Sequence, residues 1–161
     1  MNMKAMVIIG LLSLTLSCGV YTFSPSALGG IKSVAVPVFE NQTTQYGIGE
    51  LLTSALSQNL VSDNTLKVLP ESQADAIIRG TVVTYSRDPY TYTSGETVQE
   101  YICRIGIKVK FVKAKGDQII WEETLSDFGT YSSDTESEQT GIDSAINKLV
   151  EQIMNKTVKG W

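Results

Sequence analysis

The chain has 161 residues, enough for one domain of ordinary size once an N-terminal targeting segment is set aside. A hydrophobic content of 42% and a charged content of 19% predict that it folds. The formal charge of −4 argues against a nucleic-acid-binding protein, and the absence of histidine removes the commonest general base and metal ligand. We therefore expect no imidazole-based hydrolase, no metal site and no cofactor.

Residues 1–17 have the pattern of a signal peptide. Lys4 precedes an apolar run that ends at Ser17 and Cys18. The run of about a dozen residues is shorter than the ~20 that a helix needs to cross a bilayer. A small residue directly before a cysteine resembles the lipobox of bacterial lipoproteins, in which the thiol is lipidated and becomes the new N-terminus. Thr15 and Leu16 depart from the residues that the lipobox prefers, so a buried or disulfide-bonded Cys18 in a secreted protein is the alternative.

Lipidation of Cys18 would tether the domain to a membrane rather than insert it. One acyl chain binds only reversibly, whereas the two or three chains of a lipoprotein cysteine hold firmly, because each buried CH₂ contributes about 0.8 kcal/mol. Gly19 stands where Asp often signals retention at the inner membrane, so the lipobox resemblance implies the outer membrane. Cys103 lies among apolar strand residues and is predicted to be a core residue.

The first elements follow a tether over residues 18–30, and residues 31–161 are predicted to form one domain. Ile31 to Phe39 is predicted to be a strand in which Pro37 indicates an edge or a bulge. Its inward positions follow a period of two: Val34, Val36 and Val38. Between Gly47 and Asp63 the apolar residues form a single helical stripe, which predicts the first helix.

A short strand over Leu66 to Leu69 and a longer strand over Ala74 to Arg87 come next, the latter interrupted by Arg79 and Gly80. Asp88 to Thr97 is predicted to be a hairpin turn region with two exposed aromatic side chains, Tyr90 and Tyr92.

The clearest strand is Tyr101 to Val112, with apolar residues on one side and cations on the other. The cationic side carries Arg104, Lys108 and Lys110. After a turn at Lys115 to Asp117, alternation from Ile119 to Leu125 predicts another strand. A final amphipathic helix extends to Val158, with Thr140 and Asp143 as a capping-box start. The sequence therefore predicts an α+β fold: a four- or five-stranded, mostly antiparallel or mixed sheet with two helices packed on one face.

Five segments along this domain resemble the LptE family of lipopolysaccharide-assembly lipoproteins. In chain order they are VAVPVFEN (34–41), DNTLKV (63–68), ADAIIRGTV (74–82), YTYTSGE (90–96) and QIIWEE (118–123). The resemblance implies an outer-membrane lipoprotein, not an enzyme, that sits in the lumen of an LptD-type β-barrel and helps to deliver lipopolysaccharide. Related α/β modules of the curli-secretion and penicillin-binding-protein-activator types suggest the alternative, an adaptor that regulates a periplasmic enzyme or a secretion pore.

Two candidate sites follow. Arg104, Lys108 and Lys110 suit the phosphates of lipid A, although cross-strand ion pairs with residues such as Glu122 explain the same cations on an ordinary wet sheet face. Tyr90 and Tyr92 suit an interface with the barrel, although tyrosine is common in hairpins.

Three further motifs carry no predicted chemistry. Asp127-Phe128-Gly129 lacks the other kinase elements, and Gly47-x-Gly49 lacks the remaining features of a dinucleotide-binding loop. The carboxylates of Glu122, Glu123 and Asp127 are interpreted as surface charges. We therefore predict no catalytic residue.

Overall fold

The structure is a computed structural model that describes residues 30–159. The elements are β1 (Ser33–Ala35), β2 (Glu40–Asn41), α1 (Ile48–Asp63), β3 (Lys67–Val68), β4 (Ala76–Tyr92), β5 (Val98–Lys113), β6 (Ile119–Ser132) and α2 (Glu138–Met154), with a π-helical segment over Asn155–Lys159. The predicted signal peptide, the lipidation site Cys18 and the tether before Gly30 lie outside the described residues.

The strands form one mixed sheet of six strands in the order β3-β1-β4-β5-β6, with β2 also paired to β4. Strand β1 runs parallel to β3 and β4, and α1 makes the crossover that parallel neighbours require. Strands β4, β5 and β6 form an antiparallel meander. The predicted α+β class is confirmed, and the strand count is slightly higher because the first predicted strand is divided into β1 and β2.

Pro37 splits the first predicted strand into β1 and β2, both of which pair with β4. The period of two fails there: Val38 is 63% exposed and Phe39 is buried. The Phe39 backbone N–H donates to Thr53 Oγ1 on α1 at 2.9 Å. A Cβ on Gly80 would lie 2.1 Å from the Phe39 ring, so this interruption of the β4 pattern makes room for the aromatic side chain.

Helix α1 has the predicted bounds and follows Gly47, whose φ of 81° is a left-handed conformation that glycine adopts without strain. Helix α2 begins at Glu138 after Ser137, so the predicted capping box at Thr140 and Asp143 is wrong. Instead, the Thr140 N–H donates to the Ser137 carbonyl within the first turn of the helix.

The core lies between the sheet and both helices, on one face of the sheet. The two helices and the long strands β4 and β5 contribute large side chains that are almost fully buried: Leu52 and Leu56 of α1, Ile78 of β4, Ile105, Ile107 and Phe111 of β5, and Leu149 and Ile153 of α2. The opposite face of β4, β5 and β6 is here called the open face. It carries Arg79, Thr81, Arg104, Lys108, Lys110, Glu122 and Thr124.

Asp75 fastens β1 to the start of β4. Its Oδ2 accepts from the backbone N–H groups of Lys32 and Ser33, at 3.0 and 3.1 Å, and from Ser33 Oγ at 2.8 Å. The Asp75 N–H donates back to Ser33 Oγ at 3.0 Å. These hydrogen bonds stabilise the ionised carboxylate and therefore lower the pKa of Asp75. The bond from the Lys32 backbone N–H makes the largest contribution.

We expect Asp75→Asn to lower the free energy of unfolding at pH 7 and to have a smaller effect in acid. Because folding lowers the pKa of Asp75, its stabilisation is present above the unfolded value of about 4 and is lost as pH falls through the folded value. Urea unfolding of both proteins between pH 3 and pH 7 measures the difference. The exposed Asp134, whose Oδ1 accepts from the neighbouring Ser133 Oγ, provides the control substitution Asp134→Asn. If Asp75→Asn lowered the free energy of unfolding by the same amount at every pH, the stabilisation would not come from the ionised Asp75 carboxylate.

Candidate functional site

The open face brings the three predicted cations together on the central strand β5. Lys110 lies opposite Arg79 of β4 and Glu122 of β6, and Lys108 lies opposite Thr81 and Thr124. Regular pairing on both sides fixes these neighbours, and the alternation of strand side chains aims them at the same face.

Two of the three cations are paired with carboxylates. Arg104 Nη1 lies 3.0 Å from Asp88 Oδ2, and Lys110 Nζ lies 3.0 Å from Glu122 Oε1. The cross-strand ion pairs that the alternative interpretation invokes are thus present at Arg104 and Lys110. Such exposed pairs contribute only about 0–1 kcal/mol, so neither pair prevents the cation from binding another anion.

Lys108 differs from its neighbours. Among the residues that the structure describes, no carboxylate oxygen lies within ion-pair distance of its ammonium group. Lys108 lies on a groove of about 390 Å³ that separates the open face from the segment joining β1 and β2. The groove is lined by Pro37, Val38, Glu40, Glu71, Arg79, Gly80, Thr81, Lys108 and Lys110.

Arg79 is a fourth cation of this face that the sequence reasoning treated as an interruption. Its guanidinium lies 3.5 Å from Glu71 Oε2 and 3.1 Å from Asp117 Oδ1. The alternation of side chains along β4 could have revealed this position of Arg79. Because Ile78 is buried in the core, the next residue must face the opposite side of the sheet.

The β4–β5 hairpin carries the two predicted aromatic side chains near its end. Tyr90 and Tyr92 are 51% and 57% exposed, as predicted. They belong to the end of β4 rather than to the turn, which spans residues 93–97 and is closed by the bond from Thr93 N–H to Thr97 O at 2.8 Å. The turn is therefore shorter than predicted.

A polar cluster that the sequence did not reveal joins the base of this hairpin to the start of α2. Tyr85 Oη donates to Glu138 Oε1 at 2.6 Å, and Arg87 Nε lies 3.4 Å from Glu138 Oε2 and donates to Tyr131 Oη. The Arg87 guanidinium also lies 3.9 Å from the centre of the Tyr101 ring. Burial, together with the hydrogen bonds to Cys103 and Glu138, raises the pKa of Tyr85 well above its usual value. The cluster holds a neutral phenol and orients the hairpin.

The residues weighed for catalysis do not assemble into a reactive set. Glu123 pairs with Lys156 at 2.6 Å, and Asp127 accepts from Gln152 Nε2 at 2.7 Å. Cys103 is buried as predicted, and burial raises the pKa of its thiol, which disfavours the nucleophilic thiolate. Within residues 30–159 no three His, Cys, Asp or Glu side chains are grouped to hold a metal ion. Neither described helix is long and apolar enough to cross a membrane.

The fold places the chain in a class of small α+β domains that recurs in solved bacterial proteins. The protein CT253 from Chlamydia trachomatis is 10% identical over 78% of this chain and 95% of its own, with a TM-score of 0.57. XCC0632 from Xanthomonas campestris is 9% identical over 81% of this chain and 88% of its own, also with a TM-score of 0.57. A minor lipoprotein from Acinetobacter baumannii is 16% identical over 78% of this chain and 90% of its own, with a TM-score of 0.51. These likenesses show the fold alone.

The particular family is defined by sequence. The model of the LptE family, described as lipopolysaccharide-assembly, matches residues 31–157, so the chain belongs to that family. A search of the curated proteins finds no match. The match spans every element from β1 to α2, which confirms the resemblance drawn from the five segments and gives the chain a role in lipopolysaccharide assembly in general.

Proposed function

We propose that the protein is an outer-membrane lipoprotein, anchored through Cys18, that plugs and supports an LptD-type β-barrel during lipopolysaccharide export. The observation that carries the proposal is the family match over residues 31–157, which covers the whole fold. The domain acts by shape and charge, because its conspicuous features are a polar sheet face and an aromatic hairpin rather than a reactive cleft.

The hairpin is the part of the domain that suits the barrel. Exposed tyrosines anchor interfaces because the ring offers a large apolar area while the hydroxyl group still finds a polar partner. Glu138 and Arg87 brace the base of the hairpin against α2, so Tyr90 and Tyr92 are presented on a supported strand pair. A preorganised anchor loses less conformational entropy on binding.

The groove beside Lys108 is the part that suits lipopolysaccharide. The Lys108 ammonium group, with Thr81 beside it on the neighbouring strand and in the same groove, offers a charge and a hydroxyl donor to a phosphate. Arg104 and Lys110 extend the positive row, although each shares its charge with a carboxylate. Lys108 is therefore the residue through which direct binding to lipid A phosphates is proposed.

Purification from detergent-solubilised outer membrane tests the proposal. A tagged wild-type chain is expected to co-purify an LptD-type barrel, and Tyr90→Ala with Tyr92→Ala is expected to lower the yield at least about tenfold, as interface tyrosines do. Tyr46→Ala is the matched control, since Tyr46 is 95% exposed but lies before α1, far along the chain from the hairpin.

Recovery of a periplasmic enzyme or a secretion pore instead of the barrel would favour the adaptor alternative. The anchor is tested in the same cells with an alkyne fatty acid: wild type should incorporate the label and Cys18→Ala should not. A labelled Cys18→Ala protein would refute lipidation at this residue.

A further inference from the structure

One end of the sheet, here called the entry end, is where the described chain begins. By strand pairing it comprises residues 30–33, 74–76 and 112–117, which belong to the start of β1, the start of β4 and the end of β5 with its turn. The cations of this end are Lys32, Lys113 and Lys115. Within residues 30–159 no carboxylate oxygen lies within ion-pair distance of these three ammonium groups.

The two carboxylates of the entry end are already bonded elsewhere. Asp75 Oδ2 accepts three hydrogen bonds from Lys32 and Ser33 of β1, and Asp117 Oδ1 lies 3.1 Å from Arg79 Nη1. The bond from the Lys32 N–H lowers the pKa of Asp75 most, and the positive charge of the Lys32 side chain lowers it further, so this ammonium group lies near the carboxylate. Because Arg79 neutralises Asp117, three lysines face one remaining carboxylate, and the entry end is positively charged.

A cavity of about 260 Å³ lies at the entry end beside these lysines. It is lined by Gly30, Ile31, Ala74, Asp75, Lys113 and Lys115. Lys115 is exposed and Lys113 is half-buried, and both side chains are long enough to bring their ammonium groups to an anion at the mouth of the cavity. Each ammonium group offers a full charge and three hydrogen-bond donors, which suits a phosphate.

The opposite end of the sheet has the opposite charge. This hairpin end comprises residues 86–104 and 128–138, which strand pairing aligns. Its two cations, Arg87 and Arg104, are both in ion pairs. Its carboxylates are Asp88, Glu96, Glu100, Asp134, Glu136 and Glu138. The domain is therefore a charge dipole along its strands, with the positive pole at the entry end.

The position of Gly30 decides which surface the positive pole meets. Twelve residues lead from Cys18 to Gly30 in the sequence, and a chain of that length spans at most roughly 40 Å. A lipid anchor at Cys18 therefore keeps the entry end close to the headgroups of its own leaflet, whereas the 17 residues of β4 separate it from the hairpin by about 55 Å. Because the anchor makes this encounter intramolecular, a few ionic contacts are enough to orient the domain.

We propose that the entry end docks on the anionic phospholipid headgroups of the leaflet that holds the anchor, with Lys113 and Lys115 binding a headgroup phosphate at the cavity. This inference rests on the proposed function for the anchor at Cys18, and it concerns the lipoprotein before it joins the barrel. Each lysine close to an anionic surface strengthens binding about fivefold, and the carboxylates of the hairpin end are repelled from that surface. Docking therefore keeps Tyr90 and Tyr92 clear of the headgroups and available to the partner.

Fluorescence quenching by a lipid with a nitroxide on its headgroup tests the proposal. The full-length lipidated chain is reconstituted in vesicles with a dye on Gln118→Cys, at the entry end, or on Ser94→Cys, in the hairpin; Cys103 is buried and should not react. Replacing about 30% of the phosphatidylcholine by phosphatidylglycerol should raise the quenching of the dye on residue 118 at least about threefold. The quenching of the dye on residue 94 should not rise.

Charge variants identify the lysines responsible. The triple variant Lys32→Gln, Lys113→Gln and Lys115→Gln should return the quenching on residue 118 to its value in pure phosphatidylcholine, as should salt at about 1 M, where the Debye length is about 3 Å. A control that lowers the net charge by the same amount at exposed positions outside the entry end should keep the quenching: Gln42→Glu, Thr44→Glu and Gln99→Glu. If the triple variant melts early by circular dichroism, Lys32→Gln with Lys115→Gln alters only exposed side chains and should still remove most of the increase.

The outcomes separate the two claims. A wild-type chain that does not float with phosphatidylcholine vesicles has no anchor, which overturns that part of the proposed function and this inference with it. A chain that floats but is quenched equally with and without phosphatidylglycerol keeps the anchor and overturns the docking. A triple variant that is quenched like wild type on vesicles but no longer co-purifies the barrel would assign the lysines to the barrel instead.

Discussion

Gly129→Ala is expected to lower the free energy of unfolding by about 3 kcal/mol, the upper part of the range for overpacked core positions. The new Cβ would lie 2.1 Å from the Gly141 carbonyl oxygen, 2.6 Å from Ser144 Cβ and 3.0 Å from the Ala145 N. Two of these neighbours are backbone atoms of α2, so no side chain can rotate away. The helix must shift off β6, and its buried apolar face must repack. Urea denaturation followed by circular dichroism measures the loss.

Gly95→Ala is the matched control for this substitution. Gly95 lies in the hairpin turn, where an added Cβ meets nothing closer than Thr93 Oγ1 at 3.8 Å. Its effect should stay within about 0.5 kcal/mol, as for other surface substitutions. Equal losses at the two glycines would show that α2 does not pack on β6 as closely as the structure describes.

Lys108→Glu is expected to weaken lipopolysaccharide binding by about ten- to thirtyfold at low salt, which corresponds to the loss of one charge-assisted contact and the addition of a repulsive one. Changing Arg104 or Lys110 singly to Glu should cost less, because each already shares its charge with Asp88 or Glu122. Titration of purified protein with lipopolysaccharide at two salt concentrations is the measurement. The difference between wild type and Lys108→Glu should shrink at high salt, since screening removes the ionic contribution.

Lys67→Glu makes the same change in net charge at an exposed position of β3, at the other edge of the sheet. It should leave the affinity near that of wild type. If Lys67→Glu and Lys108→Glu weaken binding equally, only the net charge matters and the groove is not a site. If neither has an effect at low salt, the open face is a solvated surface, and the role of the protein rests on supporting the barrel.

Much of this architecture was determined by the sequence alone, because local patterns govern it. The four-residue spacing of Ile48, Leu52, Leu56 and Leu60 specifies a helix with one buried stripe, and the strict alternation of β5 specifies a strand with one apolar side. The same alternation aimed Arg104, Lys108 and Lys110 at one face. The five segments sufficed to suggest the family, since they span the matched region in order.

Only the tertiary structure decided which of these residues are free to act. Arg104 and Lys110 acquired their carboxylates from neighbouring strands, 16 residues away at Asp88 and across the β5–β6 turn at Glu122, whereas Lys108 received threonines. Pairings of this kind depend on strand order and register, which no local window specifies. The Phe39–Gly80 contact and the cluster around Glu138 arise in the same way. Each joins segments that are distant in the chain, so it is stabilised by the packing of the whole domain and not by any local sequence pattern.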